Sequence, residues 1–210
     1  NITGNSKMKR FCWILYIFIH LFLLISCSST DVDTKNTVSP VPEIFIKQDG
    51  LLLPVSESTV ELRKMPFSIV VRFSKPGSIM LNASLSSETF NNALSGHQVN
   101  SLRGFKKTAI DEEPFNKSKA LYISTETPQV WYYTDDSDHS FNSTEKIENY
   151  TICTREISFL IDYDSGNKQI EITKLKENFI YLVIISFDWN EDFTQIREKD
   201  RKLLRLKFIF

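Results

Sequence analysis

Apolar side chains that recur at every second position constrain this chain more than any other feature. Phe67, Ile69, Val71 and Phe73 fall on one side of an extended backbone, while Ser68, Val70 and Arg72 fall on the other. Successive strand residues point to opposite faces, so the pattern fits a half-buried strand and puts a helix out of phase with its own core. Lys75-Pro76-Gly77 supplies a turn, and a second strand is predicted from Ser78 to Leu85. Later, Ile157, Phe159, Ile161 and Tyr163 alternate up to Asp164-Ser165-Gly166-Asn167, and Ile170 and Ile172 alternate beyond it, which predicts a β-hairpin. The near-continuous apolar run from Phe179 to Phe187 suits a strand buried on both faces and would extend the hairpin to a three-stranded meander.

Other segments change period. Asn190 to Lys202 is highly charged, with Phe193 and Ile196 three apart, and reads as a short amphipathic helix. A final strand is predicted where Leu204, Leu206, Phe208 and Phe210 alternate with Arg205, Lys207 and Ile209. Ser86 to Phe115 is polar and irregular, with one helical turn expected near Ser87 to Leu94. The predicted fold of residues 43–210 is therefore mainly β, an antiparallel sandwich-like domain of the immunoglobulin-like or a related class with one or two short helices. Cys12, Cys27 and Cys153 are the cysteines, and Cys153 alone lies in that domain, so no internal disulfide can staple it.

The N-terminal region has a different character. Met8-Lys9-Arg10 precedes an apolar stretch from Phe11 to Ile25, closed by Leu24-Ile25-Ser26-Cys27. This layout of basic residues, apolar core and small residue is that of a bacterial secretory signal. Its four-residue ending resembles the lipobox of bacterial lipoproteins. That resemblance, which covers residues 8–28, implies cleavage before Cys27 and acylation of Cys27 with diacylglycerol and an N-acyl chain such as palmitate. Residues 1–7 read as upstream of the initiator Met8. Residues 8–26 are the signal, and residues 27–42 are the lipidated cysteine with a polar tether ending in Pro-Val-Pro. Ser28 stands where an Asp is associated with inner-membrane retention in such lipoproteins, so the resemblance favours the outer membrane of the cell envelope. A plain cleaved signal and a retained membrane helix are the competing readings, although a spanning helix needs about 20 apolar residues.

Composition narrows the function classes. The chain has 25 basic and 26 acidic side chains; Lys7, Lys9 and Arg10 precede Cys27, which leaves 22 basic residues and a formal charge of about −4 after cleavage. That balance argues against a nucleic-acid partner. His97 and His139 are the only histidines after Cys27, too few for a multi-histidine zinc site, and no metal or other cofactor is expected. Ser143-Thr144-Glu145-Lys146 matches the S-x-x-K of penicillin-binding proteins, but a K-T-G partner is missing. No G-x-S-x-G, P-loop or dinucleotide glycine pattern occurs.

Two segments remain as binding candidates. Trp131 and Tyr133 share one strand face beside Asp135, Asp136, Asp138 and His139, and together they form the candidate binding edge. Core packing of the aromatics is the competing reading, and a solvated turn is favoured over a calcium loop because EF-hand spacing fails at Phe141 and Ile147. Arg197, Lys199, Arg201, Lys202, Arg205 and Lys207 read as a solvated helix face interrupted by Glu198 and Asp200, with i,i+4 pairing such as Glu198 to Lys202, and contact with anionic lipid or glycan is the competing reading. Asn82, Asn116, Asn142 and Asn149 start N-x-S/T triplets, which a glycosylated secreted protein would also show. Terminal Phe210 is similar to the end of outer-membrane barrel strands, but the polar stretch between Ser86 and Phe115 ill suits a barrel. The resulting expectation is a lipid-anchored envelope protein that binds or assembles with an envelope partner. A glycan, peptide or small-molecule module is the alternative, and an uncharacterised hydrolase comes third.

Overall fold

The computed structural model describes residues 40–55, 58–94, 118–125, 127–189 and 196–209. Its strands are β1 (Glu43–Gln48), β2 (Leu51–Pro54), β3 (Thr59–Arg63), β4 (Phe67–Phe73), β5 (Gly77–Ser84), β6 (Ala120–Ile123), β7 (Gln129–Tyr133), β8 (Asp138–His139), β9 (Ser143–Ile147), β10 (Tyr150–Ile157), β11 (Phe159–Asp162), β12 (Lys168–Glu171), β13 (Phe179–Trp189) and β14 (Ile196–Ile209). Helix α1 (Ser87–Leu94) sits where the helical turn was expected. The domain is mainly β, with sheet orders β2-β1-β4-β10-β9, β3-β14-β13-β5-β7-β8 and β12-β11-β6. Most pairings are antiparallel, but β3 runs parallel to β14 and β6 runs parallel to β11. Among the described residues no helix is long and apolar enough to cross a membrane.

The alternation in β4 behaves as read. Phe67, Ile69, Val71 and Phe73 are buried in one core with Ile44 and Ile46 of β1, Ile79 and Leu81 of β5, Leu182 and Ile184 of β13, and Leu204 and Leu206 of β14. Rings bridge the five- and six-stranded sheets, with Phe67 6.3 Å from Phe208 and Phe73 5.9 Å from Tyr133. The Lys75-Pro76-Gly77 turn thus carries the chain from one sheet to the other. Another turn, Asp49-Gly50, closes β1 on β2, with Asp49 at φ 52° and Gly50 at φ 78°, the left-handed pair that a two-residue hairpin needs.

Three expectations are corrected. The hairpin around residues 163–167 forms from β11 and β12, but β13 does not join it; β13 pairs with β14 and β5 in the six-stranded sheet. The run from Ile157 to Tyr163 is two strands, because the chain changes sheets at Ser158. Ile157 and Leu160 enter the main core, whereas Phe159, Ile161 and Tyr163 gather with Ala120 and Tyr122. The helix expected from Asn190 to Lys202 is absent from Ile196 onward, where β14 is a 14-residue strand. Residues 190–195 and Phe210 lie outside the described residues. The basic residues accordingly pair along a strand: Arg201 donates to Glu198 at 2.6 Å, Lys202 lies 3.2 Å from Asp200, and the expected Glu198 to Lys202 pair is not formed.

One charged side chain points into this core. On β10 the inward positions are Thr151, Cys153, Arg155 and Ile157, and Arg155 is fully buried. Its Nε and Nη2 donate to the Ala120 carbonyl at 3.0 and 2.9 Å, and Nη1 donates to the Ser140 carbonyl at 3.0 Å. Nη2 also lies 3.3 Å from Ser118 Oγ, and the guanidinium sits 5.9 Å from the Trp131 ring. Burial lowers its pKa to about 10, opposed by Tyr122, so it stays charged at neutral pH. Ser140, at φ 70°, is the residue that turns the chain from β8 to β9, and Arg155 holds its carbonyl.

Replacing Arg155 should therefore be costly. Arg155→Ala strands buried carbonyls and is expected to destabilise the domain by about 3 kcal/mol or more in urea unfolding. Arg155→Lys should recover less than half of that, because an ammonium cannot reproduce the planar fork of donors.

Candidate functional site

The candidate edge is built on β7, the tight turn after it, and β8. Strand register decides which aromatics face out: Trp131 lies opposite Ile79 and Tyr133 opposite Gly77, both on the core side of the sheet. Trp131 is 0% exposed and Tyr133 is 5% exposed, so the pair cannot serve as an open stacking platform. Trp131 meets Phe141 edge-on at 5.8 Å, and the Lys146 ammonium lies 5.9 Å from the Tyr133 ring. The residue between them, Tyr132, faces the other way and stacks on His139 at 5.1 Å and 9°.

The acidic residues divide as well. Asp135 and Asp136 are exposed on a turn closed by its own bonds, Thr134 N–H to the Ser137 carbonyl at 2.7 Å and Ser137 N–H to Thr134 Oγ1 at 3.0 Å. Asp138 accepts the Thr144 hydroxyl at 2.7 Å, which ties β8 to β9. Among the described residues no group of three His, Cys, Asp or Glu side chains is placed to hold a metal ion.

Where this edge opens, it does so at one end of the domain. The turns at residues 74–76, 134–137 and 148–149 converge there on a groove of about 640 Å³. Tyr133 and Asp135 reach it from the predicted edge; Lys75, Lys146, Ile147 and Tyr150 reach it from elsewhere in the chain. Lys146 Nζ donates to the Asp135 carbonyl at 3.2 Å, and the Arg72 guanidinium covers the Tyr150 ring at 5.0 Å. The groove therefore brings the cations of Lys75 and Lys146 and the carboxylates of Asp135 and Glu148 beside Tyr133 and Tyr150. Sequence reasoning missed Lys75, Lys146 and Tyr150 because they flank two turns, between β4 and β5 and between β9 and β10, that lie away from the predicted edge in the chain. A second groove, of about 600 Å³, crosses the outer face of the five-stranded sheet, where Ser68 of β4 lies between Lys47 and Glu156, and Val70 lies beside Thr154.

Remaining motifs resolve into structural roles. Ser143 and Lys146 lie three apart on strand β9, hence on opposite faces, so the S-x-x-K match cannot bring hydroxyl and amine together. Cys153 is buried, and its thiol is pushed up to about 12 by burial, against the nearby Thr144 hydroxyl and helped by Asp138. Asp164 holds the turn after β6. It accepts from Thr125 N–H, Ser124 Oγ and Thr125 Oγ1 at 2.8 to 3.0 Å, and although burial acts to raise its pKa, these bonds bring it below the usual value. Asn82 is 2% exposed, and Asn142 Oδ1 accepts the Glu156 N–H, so neither side chain is presented as a sugar acceptor; Asn149 is exposed on a turn. Asn116 lies outside the described residues, as do Leu24, Ile25, Ser26 and Cys27. Compared with protein-family models, curated proteins and solved structures, the chain matches none of them.

Two outcomes test this geometry. Trp131→Ala should destabilise the domain by about 3–5 kcal/mol, whereas Tyr132→Ala should cost about 1 kcal/mol or less in the same urea series. Alkylation by a maleimide at pH 8, mapped by peptide mass spectrometry, should spare Cys153 in the folded protein and modify it fully in urea.

Proposed function

We propose that this chain is a lipid-anchored protein of the bacterial cell envelope, whose β domain acts by binding and not by turnover. The carrying observation is the order Met8-Lys9-Arg10, apolar run, Leu24-Ile25-Ser26-Cys27 and polar tether, followed by a domain whose first strand begins at Glu43. Acylation of Cys27 would hold the domain at a membrane surface, with the outer membrane favoured by Ser28. The 15 residues 28–42, rich in Ser, Thr and Asp, would span on the order of 20 Å as a flexible tether. Confinement of this kind raises effective concentration, so a weak contact with a neighbouring envelope protein suffices for assembly.

The ligand-module reading has its own support in the end groove, where Lys75, Lys146, Tyr133 and Tyr150 converge. Under that reading the occupant is a glycan or a short peptide whose acceptor oxygens meet the lysines. The two readings share the anchor and differ in what the domain holds.

Cys27→Ser separates the anchor from the domain. The variant is expected to leave the membrane fraction and to lose metabolic labelling with palmitate, with its urea midpoint unchanged. Crosslinking in the native envelope should capture a stoichiometric protein partner with the lipidated form and lose it with the variant. Unchanged membrane association of the variant would overturn the anchor, and capture without any protein partner would favour the ligand module.

A further inference from the structure

Leu51 and Leu52 are the most exposed large apolar side chains among the described residues, at 66% and 50%. Both follow the Asp49-Gly50 turn directly and stand at the tip of the β1–β2 hairpin. Neighbouring positions on a strand point to opposite faces, so the two leucines flank the tip on both sides. Among the described residues β2 pairs with β1 alone.

This edge offers little to an added strand. Val55 N–H donates to the Ile44 carbonyl, so the bonded pairs of the hairpin are Ile44 with Val55, Ile46 with Leu53 and Gln48 with Leu51. Leu52 and Pro54 then face outward, and Pro54 has no N–H to give. Contact at the tip is therefore left to side chains. The charge beside them is positive: exposed Lys47 lies opposite Leu52 on the outer face, and the carboxylate of Asp49 is taken by Arg63. Along the row that crosses the sheet from Lys47, the next charge is Glu156, two strands away past Ser68, and Lys119 pairs with it.

We propose that this tip seats in a lipid bilayer surface with anionic headgroups, Leu51 and Leu52 entering the acyl boundary and the Lys47 ammonium meeting phosphates. The proposal rests on the lipid anchor argued above, which brings the domain to the membrane. Length permits it. Residues 28–42 span on the order of 20 Å as flexible chain, and the six residues of β1 cover about 20 Å from the end of that tether to the tip. Two leucines give weak insertion, and confinement by the tether makes weak insertion sufficient. Seating also sets orientation. The tip lies at the Ser68 end of β4 and the end groove at its Phe73 end, so a seated tip turns that groove away from the membrane.

Photo-crosslinking tests the contact. The protein is produced with photo-leucine in place of leucine, extracted from the envelope, and reconstituted in vesicles of phosphatidylcholine with or without phosphatidylglycerol. After illumination, peptide mass spectrometry is expected to find lipid adducts on Leu51 and Leu52 but not on buried Leu81 or Leu182, with a higher yield when phosphatidylglycerol is present. Leu52→Glu should lower the adducts on Leu51 by about tenfold and leave the urea midpoint unchanged. Absence of adducts on both leucines, crosslinks from them to a second copy or another protein, or a yield indifferent to phosphatidylglycerol would overturn the proposal. Intact mass keeps the two readings apart: with Cys27 acylated such a result leaves the anchor standing, whereas a chain without acyl groups removes the anchor and this proposal with it.

Discussion

A buried guanidinium holds together the parts of this domain that local sequence leaves loose. Arg155 reaches the segment that enters β6, the turn between β8 and β9, and the ring of Trp131 on β7, all from a position on the core face of β10. Those segments belong to different sheets, and Arg155 supplies donors to the Ala120 and Ser140 carbonyls at once. A charge in a core is expensive, and here it is kept because its donors meet carbonyls fixed in fork geometry. The left-handed Ser140 is tolerated for the same reason.

The side edges of the domain are tied by polar contacts as well. Gln48, on β1, donates to the Arg63 carbonyl at 3.1 Å and accepts the Arg63 N–H at 2.8 Å, binding the five-stranded sheet to the end of β3. On the opposite side Asp138 and Thr144 link β8 to β9, and Lys146 reaches the Asp135 carbonyl. Edge strand β2 carries Pro54 where an outward amide would stand, since Val55 N–H already donates inward to the Ile44 carbonyl. Among the described residues, the end groove and the outer face of the five-stranded sheet are two surfaces open to solvent. Weak recognition by such surfaces would suit the tethered domain proposed above.

How far these features could be read in advance depended on their range. The strand at Phe67 to Phe73 was legible because alternation is local and uninterrupted. Ser158 was not, since a change of sheet leaves the period intact and only swaps the face on which each residue is buried. The run from Phe179 to Phe187 was recognisable as a strand, but its partners lie on β5 and β14, and hydropathy carries no record of partner choice. The first half of β14 was read as helix because Phe193 and Ile196 stand three apart and every residue from Arg197 to Lys202 is charged, so no apolar alternation marks the strand there. Trp131 and Tyr133 were placed on one face correctly; which face met the core was set by the register with β5. The end groove was illegible because three distant turns build it.

The proposed anchor would hold the β domain to a membrane through Cys27. Intact mass spectrometry of the protein extracted from the envelope addresses that claim most directly. The account predicts a chain that begins at Cys27 and carries the added mass of a diacylglyceryl group and an N-linked acyl chain. An unmodified polypeptide, or one that retains residues 8–26, would contradict it.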